Sequence, residues 1–134
     1  MGLYHDEDLD DYTMYNMDVY QEWTVETAIY PEAGAGTPFA IDYAVMGLVG
    51  EVGEVAGKVA KLMRDKPAEY QTLGEAWNVE FATDMRGELG DVLYFLARVA
   101  EETGLSLSEI ADANVRKLES RKTRNVLGGS GDNR

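Results

Sequence analysis

The chain has 134 residues, no cysteine and a single histidine, and its 25 acidic against 12 basic residues give a formal net charge of -13. That length suits one domain with one core, while the missing thiols exclude a disulfide framework, a zinc–thiolate site and Cys/His catalysis, and His5 alone argues against a Ser/His/Asp arrangement. The acidic balance argues against a nucleic-acid backbone as partner; no apolar run approaches the roughly 20 residues of a membrane span, and the acidic N-terminus lacks a secretory signal's basic start, so a cytoplasmic protein is expected.

Residues 1–15 (MGLYHDEDLDDYTMY) are acidic and tyrosine-rich without sustained periodicity and read as a flexible arm or an oligomer contact. A helical domain is expected over 16–124, followed by a C-terminal tail over 125–134. Within it, a first helix runs from Asp18 to about Tyr30, stopped by Pro31, and PEAGAGTP is a loop. A long helix follows from about Phe39 to Arg64, with Ile41, Ala44, Val45, Leu48, Val52, Val55, Val59 and Leu62 at spacings of three and four. Residues 65–79 form a connection with one short turn, and the next helix runs from about Glu80 to Thr103, where Gly104 is a natural stop. Ser106 caps a last helix ending near Lys122. No stretch alternates strongly enough to argue for a strand, so the fold is read as an all-α bundle of four to five helices.

Two carboxylate pairs carry the chemical signal. Glu51 with Glu54, and Glu88 with Asp91, are each spaced i to i+3, which places both members on one helix face. If the two helices pack antiparallel, four acidic groups converge without an obvious cation, and their repulsion opposes folding unless a divalent ion is bound. An all-oxygen set of this kind suits Mg²⁺ or Mn²⁺ together with substrate phosphates. Gly47, Gly50, Gly53, Gly57, Gly87 and Gly90 lie in or beside these segments, each at a cost of roughly 0.5–1 kcal/mol to a helix. They are read as close helix–helix contact that also admits metal and triphosphate.

The runs GLVGEVGEVAGKVAKLMRD, RGELGDVLYFLARVAEETGLSL and NVRKLESR, in that order, resemble the MazG-type nucleoside triphosphate pyrophosphohydrolases of the all-α NTP pyrophosphatase group. The likeness extends from VYQEW in the first helix to the tail. One departure is the 33 positions between the pairs, residues 55–87, longer than the family's usual spacing; the extra length is placed in 65–79, around Tyr70 and Trp77. Extra loop length costs little.

The resemblance implies cleavage of a nucleoside triphosphate between its α and β phosphates, giving the monophosphate and pyrophosphate. It implies that Glu51, Glu54, Glu88 and Asp91 hold two or more Mg²⁺ (or Mn²⁺) ions, with Glu54 also orienting or deprotonating the attacking water. Lys58 and Lys61, which follow the first pair, and Asn114, Lys117 and Arg121 of the NxxKLxxR pattern are the phosphate-binding candidates. Trp23 and Tyr94 are aromatic candidates for the base, and Asn16 and Gln21 could read a base edge. A homo-dimer or homo-tetramer is expected, with selectivity for one base, such as dGTP, and a phage origin as options. Two other readings stand beside this one: a phosphoribosyl-ATP pyrophosphatase, and a non-catalytic acidic helical module that binds a metal or a protein.

Overall fold

The structure is a computed structural model that describes residues 16–73 and 79–128. The acidic arm 1–15, Trp77 and the tail beyond residue 128 therefore lie outside the described residues. Within them the chain forms five helices and no strand: α1 (Met17–Thr27), α2 (Pro38–Asp65), α3 (Pro67–Gln71), α4 (Val79–Glu102) and α5 (Leu107–Thr123).

Local chemistry sets the helix ends. Asn16 and Thr37 cap α1 and α2, their side-chain oxygens accepting from the amides of Val19 and Ala40. Pro38 then opens α2 at a position where no intrahelical N–H is needed. Pro67, two residues beyond Asp65, stops α2 and begins the short α3. At the end of α4, Gly104 adopts φ 71°, and the amides of Leu105 and Gly104 return to the carbonyls of Ala100 and Glu101, which closes the helix with a left-handed cap. Ser106 and Glu109 then cap α5 reciprocally. The first helix is shorter than its sequence suggests: it stops at Thr27, and Tyr30 is instead drawn into the interior beside α4.

The dominant contact is between α2 and α4; α1 packs on α4 and α5, and α3 on α2. Gly47 meets the Phe95 ring so closely that any Cβ there would fall inside it. This is the close contact expected of the glycines, but it holds at Gly47 alone: at Gly50, Gly53, Gly57, Gly87 and Gly90 an added Cβ meets nothing within 4 Å. The apolar core is small, with Ala97, Ala100 and Leu107 at its centre and Tyr20, Leu96 and Ile110 packed around them.

Beside that core lies a polar network. Arg98 and Glu102, one turn apart on α4, are both fully buried and pair at 3.5 Å. Glu102 accepts from the amides of Gly34 (2.7 Å) and Gly36 (3.0 Å) and from the Tyr30 hydroxyl, while Arg98 donates to Tyr30 (3.1 Å) and Thr24 (3.3 Å). One pair thus fastens α4 to α1 and to the loop before α2. Burial alone would raise the Glu102 pKa, but the Gly34 amide, the Tyr30 hydroxyl, the Gly36 amide and Arg98 outweigh it and hold the carboxyl below its ordinary value. Burial and the bond to Glu102 push the Tyr30 phenol up to about 12.

Because the folded pKa of Glu102 is depressed, its contribution is present above the ordinary value of 4.5 and is lost as pH falls through the folded value. Urea unfolding across that acid range should show wild-type stability falling with pH, and Glu102→Gln should flatten that slope. Arg98→Met, which leaves a buried carboxylate unpaired, should cost about 3–5 kcal/mol.

Candidate functional site

Phe95 seated on Gly47 fixes the antiparallel register of α2 and α4, and one seam of side chains follows from it. Glu51 of α2 faces Glu88 and Asp91 of α4, and each offers a carboxylate oxygen within 4.8 Å of the other two. Glu51 and Glu88 are half-buried and Asp91 is exposed. Burial first, and then the charges of Asp91, Glu88 and Glu54, hold the Glu51 carboxyl above its usual range. Ligands about 2.1 Å from one Mg²⁺ lie about 3–4.2 Å apart, so small side-chain movements would bring these three oxygens onto one ion. An all-carboxylate set with mutual repulsion fits a hard divalent cation. Glu54, one turn further along α2, is exposed and lies outside the converging three, though close enough for its charge to act on Glu51.

Toward the C-terminal end of α2 the seam becomes mixed in charge. Lys58 Nζ lies 3.4 Å from Glu88 and 3.6 Å from Asp84. The hydrogen bond to Glu88, then the charge of Asp84, raise its pKa. Beyond it opens a cleft of about 280 Å³ between α2, α3 and the start of α4, with Lys58, Lys61 and Lys66 on one side and Phe81 and Asp84 on the other.

Toward α1 the seam becomes aromatic. Tyr94 lies one turn past Asp91 on α4 and meets Phe95 edge to face, 5.2 Å between centroids. Tyr20 of α1 stacks with Trp23 at 6.3 Å, and its phenol is raised by burial first, then by the nearby charges of Asp91 and Tyr94. Trp23 is 45 % exposed, so it forms an open shelf and not a core plug. Tyr20 escaped the sequence reading; the signal was its place three residues before Trp23 on one helix face.

Other candidates are placed differently. Asn16 is the α1 cap, its side-chain oxygen accepting from Val19 at 2.9 Å. Gln21 is a correction: it is buried, with its Nε2 donating to Glu101 (2.9 Å) and the Leu105 carbonyl (3.0 Å) and its Oε1 accepting from Leu107 (2.8 Å), so it ties α1 to the α4–α5 turn and has no group left for a base. Asn114 and Lys117 are exposed on α5, which packs chiefly on α1, and Arg121 is buried.

An all-helical fold with three converging carboxylates on two antiparallel helices defines a helical protein with a candidate acidic metal centre. The model of the MazG nucleotide pyrophosphohydrolase domain matches residues 41–126, and the chain belongs to that family. It is also 42 % identical over 120 residues to the Gene 37 protein of Mycobacterium phage L5, covering 89 % of this chain and 99 % of that protein. No solved structure matches it. The matched span contains all four carboxylates of the two pairs, Lys58, Lys61 and the NxxKLxxR segment.

Since the folded pKa of Glu51 is raised, ionisation of Glu51 beside its acidic neighbours costs stability as pH rises through that value. At neutral pH without metal, Asp91→Asn should therefore melt about 3 °C above wild type. Added Mn²⁺ should raise the wild-type melting temperature and leave that of the variant nearly unchanged.

Proposed function

We propose that the chain is a divalent-metal-dependent nucleoside triphosphate pyrophosphohydrolase whose substrate lies along the α2/α4 seam. The convergence of Glu51, Glu88 and Asp91 within the family-matched span is the observation that carries this reading. Glu51, Glu54, Glu88 and Asp91 hold Mg²⁺ or Mn²⁺, two or more per site, with Glu54 swinging inward from its exposed position. The chemistry that such an ion supplies is neutralisation of phosphate charge and a lowered pKa for water.

The seam gives the nucleotide a direction. The base rests on the Trp23 and Tyr20 shelf with Tyr94 beside it, the α phosphate lies at the carboxylates, and the β and γ phosphates point to Lys58 and Lys61 at the cleft mouth. Glu54 orients the water and accepts its proton as the water oxygen attacks the α phosphorus and the α–β bridging bond breaks. The monophosphate keeps the new oxygen, and pyrophosphate leaves toward the lysines. Asn114 and Lys117, exposed on α5, grip phosphate oxygens either in the same chain or across a subunit boundary, and Arg121 joins them only once its buried side chain turns outward.

The apolar side chains left uncovered support a homo-dimer or homo-tetramer. Met46 and Val49 of α2 are each 66 % exposed, and Val45, Val52, Leu89 and Leu93 are also exposed on α2 and α4. Burying such side chains stabilises by roughly 1.5–3 kcal/mol each, which favours a second copy over water. The likeness to a phage protein along almost its whole length supports a phage origin; the role we propose on that basis is trimming of the nucleotide pool in the host cytoplasm, with selectivity for one base such as dGTP.

Pyrophosphate release from the eight common NTPs and dNTPs with Mg²⁺ or Mn²⁺ tests the reading. Release should require metal, fall at least about a hundredfold in Asp91→Ala and Glu54→Ala, and concentrate on few nucleotides. Trp23→Ala should raise KM about tenfold with a smaller effect on kcat. Release from phosphoribosyl-ATP alone, or metal uptake without any release, would replace the proposal with one of the two other readings.

A further inference from the structure

Lys58 is a phosphate candidate by sequence, yet in the structure its ammonium is committed to protein carboxylates. It stands between Glu88 at 3.4 Å and Asp84 at 3.6 Å. Glu88 belongs to the converging set with Glu51 and Asp91, and Asp84 does not. The two acceptors are four residues apart on α4, hence neighbours on one helix face, and the ammonium can favour either by side-chain rotation alone. The side chains of Lys58, Asp84 and Glu88 are 33 %, 51 % and 19 % exposed, so these are solvent-screened contacts that exchange readily and not a locked buried pair.

We propose that Lys58 is an exchangeable counter-ion of the carboxylate set, resting on Glu88 when no divalent cation is bound and shifting wholly onto Asp84 when Glu88 becomes a ligand. The proposal rests on the reading of Glu51, Glu88 and Asp91 as metal ligands. Its physical basis is competition: a cation and Lys58 seek the same Glu88 oxygens, and one contact must be given up for the other. Asp84 makes that exchange easier without joining the set, because it offers the displaced ammonium a second carboxylate one turn away. It also keeps the ammonium at the mouth of the cleft, where the seam would carry the distal phosphates, instead of letting it swing into solvent. Lys58 and Asp84 are thus positioning residues whose effect is exerted on metal uptake itself, before any nucleotide binds.

The test is isothermal titration of Mn²⁺ alone, without nucleotide, into wild type, Lys58→Met, Asp84→Asn and the double variant. Methionine keeps most of the apolar stem and removes the charge; Lys58→Gln serves as a second variant should Lys58→Met fold poorly. Lys58→Met should tighten Mn²⁺ binding by about twofold to fivefold, the range of an exposed ion pair. Asp84→Asn should weaken it by a similar factor in the wild-type background and have no effect once Lys58 is gone, because Asp84 acts through Lys58. An Asp84→Asn effect of equal size in both backgrounds would mean a remote charge effect and would overturn the proposal, as would unchanged affinity in Lys58→Met. Absence of Mn²⁺ uptake by wild type would contradict the metal reading of the acidic set itself, a separate failure visible in the first titration.

Discussion

The contact between Gly47 and the Phe95 ring fixes how α2 lies against α4, and the carboxylate seam depends on that register. With a side chain at position 47 the ring would be pushed out and the helices would separate or slide. A slide of one residue turns each side chain about 100° around its helix, so the converging carboxylates would no longer face one another. In the observed register Glu51 faces Glu88 and Asp91, Lys58 reaches Asp84 and Glu88, and Tyr94 follows at the aromatic end. One small residue against one large ring therefore orders three chemically different regions along a single line.

The molecule holds its charges in two contrasting ways. At Arg98 and Glu102 a buried pair receives donors from the loop before α2 and donates to Thr24 of α1, so that the Glu102 charge is favoured and the helices are tied together. At Glu51, Glu88 and Asp91 the carboxylates crowd one another, and Lys58 answers only one of them. Folding thus tolerates a repulsive site because a buried ion pair, bonded to α1 and to the loop before α2, lies two turns further along the same helix. A site that is strained when empty gains most from a cation, which couples ligand binding to stability.

Much of this was legible in the sequence. The long helices, the cap at Ser106, the Gly104 stop and the all-α class followed from periodicity and terminal residues, whereas the Thr37 cap did not. The i to i+3 carboxylates pointed to their own convergence for three of the four, since helix geometry fixes which side chains share a face. What sequence could not supply was partner choice across helices. Gln21 has the same donors and acceptor whether it reads a base or ties down a turn, and only the position of Leu105 and Leu107 decides between them. Tyr30 looked like the end of a helix because its role depends on Glu102, 72 residues away. The glycines shared a pattern but not a function: Phe95 happens to face Gly47 and none of the others. Equally, the stripe on α2 looked like core, yet Val45 and Val52 remain exposed in the single chain.

Glu51, Glu88 and Asp91 form the metal centre we propose at the middle of the α2/α4 seam. Anomalous diffraction from crystals grown with Mn²⁺ tests it most directly. A strong peak bounded by those three carboxylates, with oxygen distances of about 2.2 Å, is expected. No peak there, or one held by other residues while the seam stays empty, would contradict it.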